Sequence, residues 1–475
     1  MPSYNYTTCF MAAVTFAAIT LASASIGSRI LKVPLFDVGP MWLQAVRDLG
    51  AEMKSVVTSL FEQDTWLCPW TYVMLGITGF CLYVGYYIFV APLNRIRQKS
   101  DLGYVPQGGM SKRDMANLVQ KRRVVGDLPP VYPNGWFGVI EAHEVKKGES
   151  MSIACLGENF AVFRDDHGEV HILDAYCPHM GANLGVGGRI HGDCITCPFH
   201  GWKFRGSDGK CTSIPYADKV PDMAKVKAYP TYEINGWIYV WYHAEGEEPF
   251  WWPEEIKEIT NGSWSYRGRT EHNINAHIQE IPENGADVAH LKQIHGPILL
   301  SGTDIRYMYS KMWDFVKHSW DASWSARTDP DEKHIGSLQL THNLELFGCK
   351  FPGLELHVEA RQIGPGIVYL FFNSIFGSGV FVHSLTPTEP LNQKMVHNVY
   401  ANWTMPTIIA KGYLLGEALQ VDRDVMIWNN KRYERRPLFV KSAEDSLIGK
   451  HRRWYSQFYS EHSPKLNFQK ETLDF

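Results

Sequence analysis

Two long apolar stretches lie near the start of the chain. Residues 66–93 run almost without charge, and this length exceeds the about 20 residues that a helix needs to cross a bilayer. Arg95, Arg97 and Lys99 follow, and a basic flank of this kind predicts that the rest of the chain lies in the cytoplasm. The pattern predicts a transmembrane helix, and a buried core helix is the alternative.

The earlier stretch, residues 9–27, is uncharged and rich in Ala, Ser and Thr. Two interpretations stay open. It is either a first membrane span or a signal sequence, because residues 22–24 resemble a cleavage site although the expected positive charge before them is missing. Both interpretations place residues 28–65 in the lumen. We therefore predict a membrane anchor over residues 1–93.

The pattern changes after the anchor. Residues 94–128 are polar and predict a linker. From residue 129 to 250, short β-rich runs such as 160–164 and 236–241 alternate with Gly-containing turns, which predicts a small antiparallel β domain. The final segment, 441–475, is predicted to be a C-terminal tail.

Residues 251–440 mix two periodicities. Helical patterns occur near 275–295 and 406–433, and strand patterns occur at 367–372 and 396–400. This mixture predicts an α+β domain in which helices wrap a sheet, so the fold class of the whole chain is α+β.

Composition narrows the function. The chain has 475 residues, enough for two or three domains, and its net charge of −4 gives no general attraction to nucleic acid. Its nine cysteines lack the dense spacing of a secreted disulfide scaffold. We therefore expect a reducing compartment and no nucleic-acid partner.

Two Cys/His loops carry the strongest chemical signal. Cys177 and His179 form the first pair, and Cys197 and His200 form the second, with a hairpin-length segment between them. Two thiolates and two imidazoles in this order are typical of a Rieske 2Fe-2S cluster. Zinc also binds Cys₂His₂ sets, and Cys194 forms a C-x-x-C pair with Cys197. The C-x-H spacing and the surrounding strands favour the cluster.

A second histidine pair follows in the α+β domain. His290 and His295 are five residues apart, so a straight helix does not align them, but a helix that ends before Gly296 can do so. Asp287 lies one turn before His290 and is predicted to accept its ring N–H. Two histidines and one carboxylate bind Fe(II) and leave positions open for O₂ and substrate. The helical wheel of residues 420–428 does not choose between Asp422 and Asp424 for that carboxylate.

The cluster loops, and the segment Asn284-x-x-Asp287-x-x-His290-x₄-His295, resemble the Rieske non-haem iron oxygenases. Within that group, residues 129–136 and the helix 420–428 resemble the Neverland family of cholesterol 7-desaturases. The resemblance implies that Asp424 is the third ligand of the iron and that Asn284 shapes the site. It also implies a homotrimer, in which His200 of one subunit passes electrons to the iron of a neighbour through Asp287.

The same resemblance implies a function. The enzyme would convert cholesterol to 7-dehydrocholesterol in steroid hormone synthesis, on the cytoplasmic face of the endoplasmic reticulum membrane. It would use O₂ and electrons from NAD(P)H through a separate reductase, because the chain lacks the G-x-G-x-x-G dinucleotide pattern. A steroid hydroxylase of the 3-ketosteroid 9α type, a membrane-bound Rieske electron carrier and a catalytically silent sterol-binding protein are the alternatives.

Overall fold

The computed structural model describes residues 69–105 and 107–466. The predicted apolar segment 9–27, the first three residues of the predicted span 66–93, and the last part of the predicted tail lie outside the described residues. The chain divides into two compact units, which meet in sequence between Ala91 and Pro92.

The described part of the first unit is one helix, α1 (Pro69–Phe89). Its segment Tyr72–Phe89 has a mean hydropathy of 1.5, and it is long and apolar enough to cross a membrane by length and composition. Large apolar side chains such as Phe80 and Tyr83 are exposed rather than packed on protein. The predicted helix within 66–93 therefore forms, and its place in a membrane stays a proposal.

The second unit contains the remaining described helices and all the described strands. Its helices are α2 (Lys112–Arg122), α3 (Lys257–Thr260), α4 (Glu280–Glu283), α5 (Val288–Ile294), α6 (Thr407–Trp428) and α7 (Ala443–Tyr455). Its strands are β1 (Leu93–Arg97), β2 (Gly135–Glu141), β3 (Ser150–Cys155), β4 (Glu158–Arg164), β5 (Val170–Asp174), β6 (Arg189–His191), β7 (Cys194–Thr196), β8 (Lys203–Arg205), β9 (Cys211–Ser213), β10 (Ala228–Tyr229), β11 (Thr231–Ile234), β12 (Trp237–Tyr242), β13 (Trp264–Ile274), β14 (Val316–Ala326), β15 (Ile335–Leu346), β16 (Cys349–Lys350), β17 (Leu356–Ile363), β18 (Ile367–Ser374), β19 (Gly377–Glu389) and β20 (Asn392–Asn402).

Strands β2 to β12 form three small antiparallel sheets, with the orders β10-β5-β4-β3, β11-β12-β2 and β6-β7-β8-β9. Strand β12 is buried at every position, because both of its faces are covered. The predicted antiparallel β domain is confirmed. One loop follows β5 and another follows β7, and these two loops carry the Cys/His pairs.

The larger sheet has nine strands in the order β1-β13-β20-β19-β18-β17-β15-β14, and β16 pairs with β15. Helix α6 packs on one face through Ala410 and Leu414, which join Phe372 and Phe381 of the sheet in an apolar cluster. This arrangement confirms the α+β prediction and brings one face of α6 over the middle of the sheet.

The segment 94–128, predicted as a linker, is folded in part. Strand β1 pairs in parallel with β13, and Arg123 donates hydrogen bonds to the backbone oxygens of Asn275, Trp428 and Lys431. The segment beyond residue 440 likewise contains α7, with Tyr455 fully buried. The sequence does not indicate these contacts, because the partners of Arg123, for example, lie more than 150 residues further along the chain.

Candidate functional site

The two Cys/His loops have the same backbone design. In each loop a glycine lies four residues after the cysteine, and its N–H donates to the cysteine oxygen, at 2.8 Å for Gly181 and 3.1 Å for Gly201. Both glycines have positive φ values, of 72° and 76°, a conformation that a side chain would strain. The matching turns give the two cysteines the same backbone setting, although the histidine follows by two residues in the first loop and by three in the second.

The four predicted ligands divide into an inner and an outer pair. Cys177 and Cys197 are almost fully buried, at 2% and 1% exposure. The rings of His179 and His200 lie 4.6 Å apart, centroid to centroid, and His179 is exposed. Thiols inside and imidazoles outside fit a two-iron cluster whose irons differ in ligation.

The neighbouring residues support this division. Burial, with a smaller contribution from Cys197, raises the pKa of the Cys177 thiol to about 11, so binding of a metal would have to release its proton. The Trp202 indole stacks on His179 with centroids 4.9 Å apart. Cys194, the residue that suggested a zinc pair, instead contacts Asp193 and Thr212, at 3.2 Å and 3.7 Å from its Sγ.

Helix α5 positions the second histidine pair. Asp287 is its N-cap, and the carboxylate accepts the His290 backbone N–H at 3.3 Å. His295 is the C-cap residue, so the helix ends as the sequence predicted, and the two imidazole rings stand 5.0 Å apart at 79°. The break of the helix at His295 turns both rings toward one point.

Helix α6 brings the carboxylate. Oδ2 of Asp424 lies 3.2 Å from Nε2 of His295, and one donor atom from each of His290, His295 and Asp424 lies within 4.8 Å of the others. Asp422 points elsewhere, because Arg95, Arg97 and His272 surround its fully buried carboxylate at 2.8, 3.2 and 3.0 Å. The structure thus separates two aspartates that the helical wheel left equivalent.

Two supporting residues were missed by the sequence analysis. The Gln420 amide oxygen lies 2.7 Å from Nδ1 of His295. The buried Arg423 guanidinium donates to the backbone oxygens of residues 294, 297, 298 and 302, and so holds the turn that follows α5. Both lie within one turn of Asp424, and that spacing is the one signal by which the sequence could have indicated them.

The contact between Asp287 and His290 differs in detail from the predicted one. Nδ1 of His290 contacts the backbone oxygen of Asp287, whereas the carboxylate lies 3.9 Å from that nitrogen. The capping bond turns the carboxylate toward the helix backbone, so the carbonyl becomes the partner of the ring. Asn284 is half-buried at the end of α4, and its role in the site stays a prediction.

Electrostatics and shape complete the site. Burial acts to lower the pKa of His295, but the Asp424 charge and the hydrogen bonds that the ring donates to Asp424 and Gln420 outweigh it, so the pKa is raised. A cleft of about 320 Å³ lies next to this turn and is lined by Gly296, His318 and Trp320 among others. A larger cleft, of about 540 Å³, is lined by none of the predicted site residues.

Comparisons with known proteins agree with this geometry. Residues 135–230 match the family model described as Rieske [2Fe-2S] domain, and residues 240–459 match the model described as 3-Ketosteroid 9alpha-hydroxylase C-terminal domain. The crystal structure of dicamba monooxygenase bound to 3,6-dichlorosalicylic acid is similar to this chain at a TM-score of 0.51 and 15% identity, over 70% of this chain and 98% of that one. That likeness concerns the fold alone.

Sequence similarity to curated proteins identifies the family of the chain more closely than the likeness in fold does. The chain is 48% identical to cholesterol 7-desaturase nvd of Xenopus laevis, over 95% of this chain and 100% of that protein. It is 44% identical to cholesterol 7-desaturase of Caenorhabditis elegans, over 80% of this chain and 90% of that protein. The oxygenase component of a probable 3-ketosteroid-9-alpha-monooxygenase of Rhodococcus rhodochrous is 29% identical. The chain therefore belongs to the cholesterol 7-desaturase family of Rieske-type oxidoreductases.

Proposed function

We propose that this chain desaturates cholesterol between C7 and C8 to give 7-dehydrocholesterol, in steroid hormone synthesis. The observation that carries the proposal is the convergence of His290, His295 and Asp424 in a chain that matches the full length of a cholesterol 7-desaturase. Removing two hydrogens from the sterol and reducing one O₂ to two waters takes two more electrons and two protons. The electrons come from NAD(P)H through a separate reductase.

Cys177, His179, Cys197 and His200 would hold the 2Fe-2S cluster, and His290, His295 and Asp424 would hold the mononuclear Fe(II). The donor sets fit both groups, since buried thiols pair with outer imidazoles in one case and two imidazoles meet one carboxylate in the other. When bound, the cluster supplies single electrons and the ferrous ion activates O₂.

The side chains around the triad set the ring orientations. The Gln420 amide oxygen contacts Nδ1 of His295, and the Asp287 carbonyl contacts Nδ1 of His290. Nε2 of each ring would therefore be the atom that binds the metal. Arg423 binds four backbone oxygens around the turn that follows His295, and this clamp limits movement of the ligand.

We propose that electrons pass between subunits, from the cluster loops of one to the iron of another. His179 is exposed at the cluster loops, and the Asp287 side chain is 31% exposed beside His290. In a homotrimer, His200 of one subunit would deliver electrons to a neighbour's iron through Asp287. Asn284, three residues earlier, would shape the iron site.

Helix α1 is proposed as the membrane anchor, within an anchor region that covers residues 1–93. Its exposed apolar side chains suit a lipid environment, and a membrane is where cholesterol resides. Arg95 and Arg97, part of the basic flank, are also ion partners of Asp422. We place the catalytic domain on the cytoplasmic face of the endoplasmic reticulum.

Steroid hydroxylation is the second candidate, because the catalytic domain matches a 3-ketosteroid 9α-hydroxylase domain model. A cluster-only electron carrier would have no use for the triad. Cells that express the chain should convert added cholesterol to 7-dehydrocholesterol, detected by mass spectrometry. His290→Ala should abolish the product, whereas the exposed His357→Ala should not. A hydroxylated steroid as the sole product would favour the second candidate.

A further inference from the structure

A second group of metal-binding side chains lies on the same helix as Asp424. His383 of β19 and His397 of β20 are directly opposite each other in the sheet, and Glu417 of α6 lies over them. One donor atom from each lies within 4.8 Å of the others. We propose that His383, His397 and Glu417 form a second site for a divalent transition-metal ion, separate from the iron triad.

The distances fit one ion. The Glu417 carboxylate lies 2.5 Å from Nδ1 of His397 and 3.7 Å from Nε2 of His383. Zn–N and Zn–O bonds of about 2.0–2.2 Å place two donor atoms of a tetrahedral ion roughly 3.4 Å apart. The His383 separation is close to that value, and the His397 contact, which is a direct hydrogen bond, would have to open by roughly 1 Å to admit an ion. The imidazole rings stack with their centroids 3.6 Å apart, and this brings both of them to the same carboxylate.

The charge balance argues for a cation. Two carboxylates of α6 face imidazoles of the sheet, Asp422 beside His272 and Glu417 beside His397. Asp422 is neutralised by Arg95 and Arg97. Glu417 is 21% exposed, and within the part of the chain that the structure describes its ion partners are the two histidines alone. A divalent ion would supply the charge that two guanidinium groups supply to Asp422.

Each of the two histidines keeps one ring nitrogen free. His397 is 1% exposed, and Nε2 of each ring is buried without a hydrogen-bond partner among the described residues. Ring nitrogens left without a partner in this way are available to a metal ion. Neutral imidazole is the form that binds metal.

The donor set defines the class of ion. Two imidazoles and one carboxylate bind Zn²⁺ in proteins, and the same set binds Fe²⁺. A bound ion would tie β19 and β20 to α6, seven residues before Asp424, or roughly 10 Å along the helix. The site would therefore be structural, and it would hold in place the helix that carries an iron ligand.

Zinc binding to the full-length chain tests this proposal without any sterol. The background variant is His290→Ala/His295→Ala, which removes the triad, and its cluster content is checked by visible absorption. Equilibrium dialysis against Zn²⁺ with elemental analysis should find one zinc per chain. Adding Glu417→Gln or His397→Gln should remove it, while His357→Gln, an exposed histidine of β17, should keep it.

Two results would overturn the proposal: no zinc bound by the background variant, or zinc content that Glu417→Gln leaves unchanged. Zinc-edge X-ray absorption of the background protein gives a second measurement that does not depend on the folding of further variants. It should find nitrogen and oxygen donors of the histidine and carboxylate kind. Sulfur donors would assign the zinc to cysteines and reject the site.

Discussion

The Gln420 amide oxygen lies 2.7 Å from Nδ1 of His295, and Nε2 of the same ring faces Asp424 at 3.2 Å. One helix, α6, thus supplies both the carboxylate proposed to bind iron and the group that orients the imidazole. Gln420 accepts the Nδ1 proton and so leaves Nε2 as the nitrogen turned to Asp424 and to the proposed iron.

This relationship predicts the effect of changing Gln420. Gln420→Ala should weaken binding of the mononuclear iron by about 10- to 100-fold, as expected for loss of a group that orients a ligand. Gln420→Glu keeps an acceptor at the position and should retain most of the binding. Iron titration of protein with an intact cluster measures both. Equal affinities in the Ala variant and the unmodified protein would remove Gln420 from the site.

The two aspartates of α6 should behave differently. Asp424→Ala should lower the iron content from three to two per chain and leave the cluster signal. Asp422→Ala should keep the iron ligands but lower the free energy of unfolding by about 3 kcal/mol, because it leaves His272 and two arginines without their anion. Iron analysis and thermal unfolding distinguish the two. Loss of iron from Asp422→Ala alone would reverse the ligand assignment.

Asp287 combines a helix cap with the proposed electron path. Asp287→Ala should abolish turnover and leave the cluster intact, and the cap loss should cost about 1 kcal/mol of stability. Asp287→Asn keeps a capping oxygen, so its stability should stay close to that of the unmodified protein while turnover still falls. Reoxidation of the reduced cluster after addition of O₂ and cholesterol measures the transfer. Normal turnover in Asp287→Asn would show that the charge has no role in it.

The cluster loops offer a matched pair of cysteines. Cys177→Ser should remove the cluster, seen as loss of the low-average-g EPR signal of mixed Cys/His ligation in the reduced protein. Cys194→Ser should keep that signal, because the Cys194 thiol is in hydrogen-bond contact with Asp193 and Thr212 and is not one of the four predicted cluster ligands. A zinc-bound, colourless protein would contradict the cluster assignment.

Local sequence predicted most of the fold. The strands of the β domain carry buried runs bounded by glycine turns, as at β4, and the helix that ends at His295 is followed by Gly296 and Pro297. Strand β1 and helix α7 were not predicted, because tertiary contacts rather than local sequence patterns stabilise them. Pairing with β13 makes Leu93–Arg97 a strand, and the burial of Tyr455 fixes α7.

The sequence by itself determined the chemistry of this protein. The type of each donor atom follows from the residue that carries it, so it can be read without coordinates. The order and spacing of the residues predicted two groups of donors: Cys177, His179, Cys197 and His200 in one, and His290 and His295 in the other. Helical periodicity left Asp422 and Asp424 equivalent, and only the family resemblance favoured Asp424. Tertiary structure separates the two, because both lie near the same helix face and differ in what approaches them. Three cationic or imidazole side chains surround Asp422, and His295 meets Asp424. The pairing of Gln420 with His295 depends on the same long-range packing of α6 against α5, which no local pattern encodes.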